Sequence, residues 1–335
     1  PPVRIMEVCG THTHEIFRLG IRKLLPEQVE LISGPGCPVC VTQVGFIDEA
    51  IYLALERQVT ICTFGDLVRV PGTNMSLAGA REKGAKIRIV YSPVDAKEYA
   101  KEHPKEQVTF LSVGFETTTP SACLSVKKAR EEGLTNYSIL TANKTMPQAY
   151  EALKGSADIF LYPGHVNAIT GTKLCEELAK EGVSGVVAGF TAKELLTALA
   201  VALARFQEGR PFFVNCYPRV VTENGSPQAQ KLIEEMMEPC DSEWRGLGVI
   251  KGSGMRLQEE WSAFDARKKY KIPPIQGKAN PACRCGDVLQ GKCKPSDCKV
   301  FGKVCTPQHP VGACMVSGEG ACSAYYMYGE AEKMK

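Results

Sequence analysis

The strongest constraint on this chain is an alternation: from Val3 to Phe206, short β-branched apolar runs trade places with amphipathic stretches of helical period. That is the pattern of βαβ units, in which parallel strands are joined by crossover helices covering the sheet. Candidate strands fall at 4–8, 29–32, 60–64, 87–91, 108–113, 138–141, 159–162 and 186–188. An α/β fold with Rossmann-like parallel sheets follows. A short internal echo favours two sheets over one. Ile5-Met6-Glu7-Val8-Cys9 leads through a helix and Leu31-Ile32-Ser33 into Gly34-Pro35-Gly36. Likewise, Ile139-Leu140-Thr141-Ala142 leads through a helix and Phe160-Leu161-Tyr162 into Pro163-Gly164-His165. Two similar lobes would then face a cleft lined by the loops at the strand carboxyl ends. The expected division is a first lobe at 1–112, a second at 113–210 and a C-terminal domain at 211–335.

After residue 207 the pattern changes. A strand is expected at 212–221, a helix at 228–237 and a Gly-rich strand or hairpin at 246–255, and beyond Pro273-Pro274 the chain reads as loop. From Cys283 to Cys322 seven cysteines occur with almost no apolar periodicity. A segment that cannot bury a core needs another tie, and cysteine ligation of a metal or cluster supplies one.

Charge excludes some functions. With 40 basic against 37 acidic residues, a net +3 and no long basic run, the chain lacks the electrostatic footprint of a nucleic-acid or anionic-membrane binder. The longest apolar run, 195–206, is interrupted by Thr197 and Arg205 and falls short of the roughly 20 residues a membrane span needs. The first residues hold no charged n-region followed by an apolar h-region, and no initiator Met, so the expectation is a cytoplasmic protein whose sequence starts inside a longer chain. In that setting 15 cysteines, an odd number, favour free thiols, metal ligands and redox pairs over a structural disulfide framework. Neither a P-loop nor a full Gly-x-Gly-x-x-Gly follows a strand, so energy input is expected from a partner.

Five constellations carry chemistry. Cys9-Gly10-Thr11-His12-Thr13-His14 follows the first strand and puts a thiol and two imidazoles at a sheet mouth, a donor set for a transition metal; its plain reading is a helix start. Gly34-Pro35-Gly36-Cys37-Pro38-Val39-Cys40 places a Cys-x-x-Cys at a helix N-terminus, where the dipole favours a reactive thiolate. Gly114-Phe115-Glu116-Thr117-Thr118-Thr119-Pro120 reads either as an N-cap cluster or as an acid, base or supporting partner in Glu116. Pro163-Gly164-His165 brings a third histidine to a strand end, whereas His103 and His309 read as solvated. Finally, Cys283-x-Cys285 is followed by Cys293, Cys298, Cys305, Cys314 and Cys322. Without paired Cys-x-x-Cys units this tail does not fit a zinc ribbon, and its wide spacing suits a [4Fe-4S] cluster with thiols to spare for a redox disulfide.

In order and nearly end to end, these motifs resemble the HypD family of [NiFe]-hydrogenase maturation proteins; the tail adds Cys305-Thr306-Pro307 and Gly312-Ala313-Cys314-Met315-Val316-Ser317 through Glu319-Gly320-Ala321-Cys322. The resemblance implies two α/β lobes around a cleft and a third domain similar to ferredoxin:thioredoxin reductase. It implies an assembly scaffold with redox activity, working with HypC, on which an iron with two cyanides and one carbon monoxide is built, HypE giving the cyanide. The unit then passes to the hydrogenase large subunit through HypC. Carried over by motif, Cys9 anchors the iron with His12 close by, Cys37 and Cys40 form the cleft dithiol, and Glu116 and His165 belong to the same site. By analogy with the reductase, Cys283, Cys298, Cys305 and Cys322 ligate the [4Fe-4S] cluster and Cys285 pairs with Cys314. Cys293 has no role in that scheme, and Cys62, Cys123, Cys175, Cys216 and Cys240 are expected to be buried or idle. Two other readings are a free-standing protein disulfide reductase and a structural zinc protein.

Overall fold

The computed structural model describes residues 2–329, so the last residues of the expected 211–335 domain lie outside the described ones. In chain order the strands are β1 (Val3–Glu7), β2 (Val29–Ser33), β3 (Thr60–Thr63), β4 (Ile87–Ile89), β5 (Val108–Gly114), β6 (Tyr137–Asn143), β7 (Ile159–Pro163), β8 (Ser184–Ala188), β9 (Phe213–Asn215), β10 (Met237–Trp244) and β11 (Gly248–Leu257). All eight strands expected from the alternation are present. Two parallel sheets form, in the orders β2-β1-β7-β8-β9 and β4-β3-β5-β6. Both are buried on two faces, which is why β5, β6, β7 and β8 read as unbroken apolar runs instead of alternating ones.

The lobes do not divide where the sequence suggested. A boundary at 112/113 would cut β5, and the chain builds β1 and β2, leaves to make the whole β3–β6 sheet, and returns with β7, β8 and β9. One lobe is therefore discontinuous, and the other is inserted into it. β9, expected at 212–221 within the third domain, is a short fifth strand on the β8 edge. The internal echo is not a duplication of like parts either, because β1 and β2 are neighbours in one sheet, whereas β6 and β7 belong to different sheets. The repeat that does exist is topological. Ignoring β9, each sheet runs second-first-third-fourth in its own chain order, so each has a switch point, between β1 and β7 and between β3 and β5. Ligands of open α/β sheets bind at such points, beyond the strand carboxyl ends.

An antiparallel hairpin, β10–β11, packs beside β6, with Thr145 N–H donating to Ser253 O at 2.8 Å. β10 escaped the sequence reading because Pro239 and its acidic residues mask the weak alternation of a half-exposed strand. Among the described residues from 273 to 329 there are only short helices, chiefly Cys285–Leu289 and Ala321–Tyr328, and single turns. No helix among the described residues is long and apolar enough to cross a membrane.

Candidate functional site

The loop after β1 is built to present a thiol. Cys9 is the N-cap of the helix Gly10–Arg18, in extended conformation and without a side-chain cap bond, a position where Ser, Thr or Asp would be locally better. Just before it, the fully buried Glu7 pairs with Arg22 at 2.6 Å and accepts from Thr13 Oγ1 at 2.8 Å and Ser33 Oγ at 3.2 Å, tying strand, helix and neighbouring strand together. The loop after β2 locks onto it: Gly10 N–H donates to Gly36 O at 2.9 Å, and a Cβ on Gly36 would stand 2.1 Å from Cys9 N. Only glycine lets the two backbones approach this closely. The Cys9 loop and the Cys-x-x-Cys loop are thus one unit.

Cys9 is buried, and burial pushes its thiol up to about 12, against the pull of the Thr11 and His12 N–H groups and with a further push from Glu319. As a free thiol it is inert; a soft cation would be needed to hold the thiolate. His12, fully buried, is driven down to about 3 by burial and by His165, so its imidazole is neutral. Its Nε2 lies 3.0 Å from Gly189 O, which assigns the proton to Nε2, and leaves Nδ1 buried with no partner. Metal-ligating histidines show this arrangement: one ring N–H on a carbonyl, the other nitrogen's lone pair free. His165, after β7, is lowered to about 4 by burial, and His12 and His165 flank Phe190 with ring centroids 4.9 and 5.0 Å away. Glu116 comes from the other lobe. Burial raises its carboxyl to about 7; Oε1 accepts from Met146 N–H at 2.8 Å, and Oε2 is buried without a partner.

Cys37 caps the helix Pro38–Val41, its Sγ accepting from Cys40 N–H at 3.3 Å. From here a file of thiols leads into the C-terminal region. Cys40 is in side-chain contact with Cys37 and with Cys314; Cys314 also meets Cys285 and Cys322; Cys285 meets Cys322 and Cys283. The neighbouring thiols of Cys285, Cys322 and Cys40 hold Cys314 low, whereas burial holds Cys40 high. Beyond them Cys283, Cys285, Cys298, Cys305 and Cys322 line one cavity, walled by Val288, Val300, Phe301 and Met315. Gly312 keeps it open, because a Cβ there would stand 2.4 Å from Cys283 Sγ and 2.7 Å from Cys285 Sγ. Val311 N–H donates to Cys305 Sγ at 3.3 Å. Among the described residues no three His, Cys, Asp or Glu side chains stand close enough to hold a single metal ion. A multi-iron cluster asks for sulfurs spread around a larger body, and this cavity offers that arrangement.

Cys293 lies outside the cavity, in a groove shared with Arg4 and Glu30. Cys62, Cys123 and Cys175 are core residues, and Cys216 and Cys240 are half-buried. Sequence reasoning missed Glu319, whose carboxylate accepts from Thr11 Oγ1 at 2.6 Å and whose neighbour Gly318 O meets His14 Nδ1 at 2.9 Å. This latch closes the cysteine-rich tail over the Cys9 helix. Its only sequence signal was a lone acidic residue between Cys314 and Cys322.

Fold and site together define a class: a two-lobed, doubly wound α/β protein with Cys9 and His12 buried at one switch point and a file of thiols running to a cysteine-lined cavity. Comparison with known proteins narrows it. The HypD family model, described as a hydrogenase formation family, matches residues 1–329. The chain is 44% identical to the hydrogenase maturation factor HypD of Rhodobacter capsulatus, covering 98% of this chain and 90% of that protein. It is 43% identical to that of Escherichia coli (99% and 90%) and 42% identical to that of Cupriavidus necator (97% and 89%). The chain belongs to the HypD family of hydrogenase maturation factors.

Proposed function

We propose that this chain is the scaffold on which, together with HypC, an iron bearing two cyanides and one carbon monoxide is assembled for a hydrogenase. Cys9 holds the incoming iron as thiolate, with the free Nδ1 of His12 beside it; the iron is cargo. His165 and Glu116 complete the surroundings, Glu116 able to hold or give up a proton near neutral pH. HypE presents cyanide on sulfur as a thiocarboxamide, which on loss of water is R–S–C≡N. Releasing cyanide ion from it takes two electrons, leaving R–S⁻ and CN⁻, and oxidation of Cys37 and Cys40 to a disulfide supplies two electrons and two protons. Cys285 and Cys314 reduce that disulfide by exchange, a step suited to the Cys40–Cys314 contact.

The cysteine-lined cavity fits a [4Fe-4S] cluster on Cys283, Cys298, Cys305 and Cys322, with the apolar wall and the N–H to Cys305 Sγ that such clusters use. When bound, the cluster supplies single electrons to the adjacent dithiol. The observation that carries the whole reading is the unbroken file of thiols from Cys37 to the cavity. Anaerobic purification with iron, zinc and sulfide analysis tests the proposal. It expects a brown protein with about four irons per chain and infrared bands of iron-bound cyanide in the complex with HypC; a colourless, zinc-loaded protein contradicts it.

A further inference from the structure

Behind His12 stands a carboxylate that has no part in that scheme. The helix Ala192–Phe206 opens with a capping box: Thr191 Oγ1 accepts from Glu194 N–H at 3.3 Å, and Glu194 Oε2 accepts from Thr191 N–H at 3.1 Å. Capping accounts for those two bonds and no more. The same Oε2 also accepts from Phe190 N–H at 3.0 Å, while Oε1 accepts from Arg219 Nε–H at 3.0 Å and Nη2–H at 2.8 Å. Arg219 in turn lies over the Tyr217 ring at 4.7 Å, and Tyr217 meets Phe190 edge-on with centroids 6.2 Å apart. Gly189 admits the carboxylate, because a Cβ there would stand 2.4 Å from Glu194 Oε2 and 2.6 Å from Tyr217 Cε2.

Phe190 N–H and Gly189 C=O belong to one planar trans peptide, so they point in opposite directions. On the far side Gly189 O accepts from His12 Nε2–H at 3.0 Å. Carboxylate, peptide and imidazole therefore form one line, Glu194 Oε2 to H–N–C=O to H–Nε2 of His12, in which each hydrogen bond polarises the next. The line ends at the fully buried ring whose Nδ1 has no partner. Phe190 holds that ring from a second side, its centroid 4.9 Å from that of His12. Metal-ligating histidines are commonly oriented by a carboxylate or a carbonyl on the other ring nitrogen. Here the carboxylate acts through the carbonyl.

We propose that Glu194 is a positioning residue of the cargo-iron site: through the Gly189–Phe190 peptide it locks His12 as the Nε2–H tautomer and so presents the Nδ1 lone pair to iron held by Cys9. The proposal rests on the scaffold reading above. Glu194 touches neither iron nor cyanide; it fixes a carbonyl and strengthens it as an acceptor. Glu194→Gln removes the charge that polarises the peptide but keeps an amide oxygen for the cap. Thr191→Ala loosens the cap and leaves the carboxylate on Phe190 N–H. If Glu194 served the helix alone, the two variants would behave alike.

The test is nitrogen-15 NMR of the full chain labelled at histidine, the His12 signals being those lost in His12→Gln. It is paired with titration of ferrous ion alone into the complex with HypC, with Cys9→Ala as the blank. Wild-type His12 is expected to show a protonated Nε2 and a bare Nδ1. In Glu194→Gln the two shifts move toward each other as the second tautomer fills, and ferrous ion binds about tenfold more weakly; Thr191→Ala keeps the wild-type shifts and affinity. Should Glu194→Gln not fold, Glu194→Asp, which keeps the charge and the cap but falls short of Phe190 N–H, is read in its place with the same expectation. A wild-type His12 protonated on Nδ1, a Glu194 variant with wild-type shifts, or equal changes in Thr191→Ala and the Glu194 variant overturns the proposal. If the wild-type complex binds no ferrous ion beyond the blank, the scaffold reading falls instead, and the nitrogen-15 shifts still judge the relay.

Discussion

The two parallel sheets share a strand order, yet the loops at their switch points carry different side chains. Between β1 and β7 the loops present Cys9, His12 and His165, with Gly36 and Cys37 locked alongside. At the matching place between β3 and β5 stand Thr63, Phe64, Gly65 and Asp66, with Phe64 packed on Phe110 at 5.4 Å. The fold offers two topologically equivalent places, and their side chains set them apart. The inserted lobe instead holds Glu116 buried just past β5 and stacks Phe115 on Trp244.

The largest expected effect comes from breaking the interlock. Gly36→Ala forces a Cβ into the Cys9 backbone and should cost upwards of about 4 kcal/mol, read as loss of soluble protein or a collapse of the thermal transition. Next is the thiol file. Cys314→Ser removes the sulfur shared by Cys40, Cys285 and Cys322, so stopped-flow reduction of the cleft disulfide should slow at least tenfold while iron and sulfide content stays at wild-type level; unchanged kinetics would break the relay.

A smaller effect follows from pH. The Glu116 carboxyl rises from 4.5 unfolded to about 7 folded, so the folded state keeps a proton that the unfolded state gives up. Stability from this group is therefore full below about pH 4.5 and lost as pH rises through 7. Glu116→Gln should unfold like wild type at pH 4.5 and resist urea by up to about 3 kcal/mol more at pH 8. Equal stability at both values would remove the case for a buried, protonated acid. Smallest of all, Phe64→Leu at the silent switch point should leave iron retention within about twofold, a change of under 1 kcal/mol; a loss like that of a Cys9 variant would make the two switch points equivalent after all.

Much of this was legible in the sequence, and the failures have physical causes. Strands were readable because two-sided burial demands continuous apolar runs, as in Ile159–Pro163. Their assignment to lobes was not, because a 2-1-3-4 order interrupted by an inserted sheet leaves no mark on local pattern. The motif residues announced themselves by type and spacing, whereas Glu319, 308 positions from its partner Thr11, could be connected to it only by the fold.

The central claim is a division of labour between Cys9 at one switch point and the cysteine-lined cavity of the tail. It is tested most directly by Cys9→Ala, purified anaerobically in complex with HypC, with cargo iron followed by its cyanide infrared bands and the cluster by its visible absorbance. The account predicts that the infrared bands vanish and the absorbance persists; loss of both, or of neither, contradicts it.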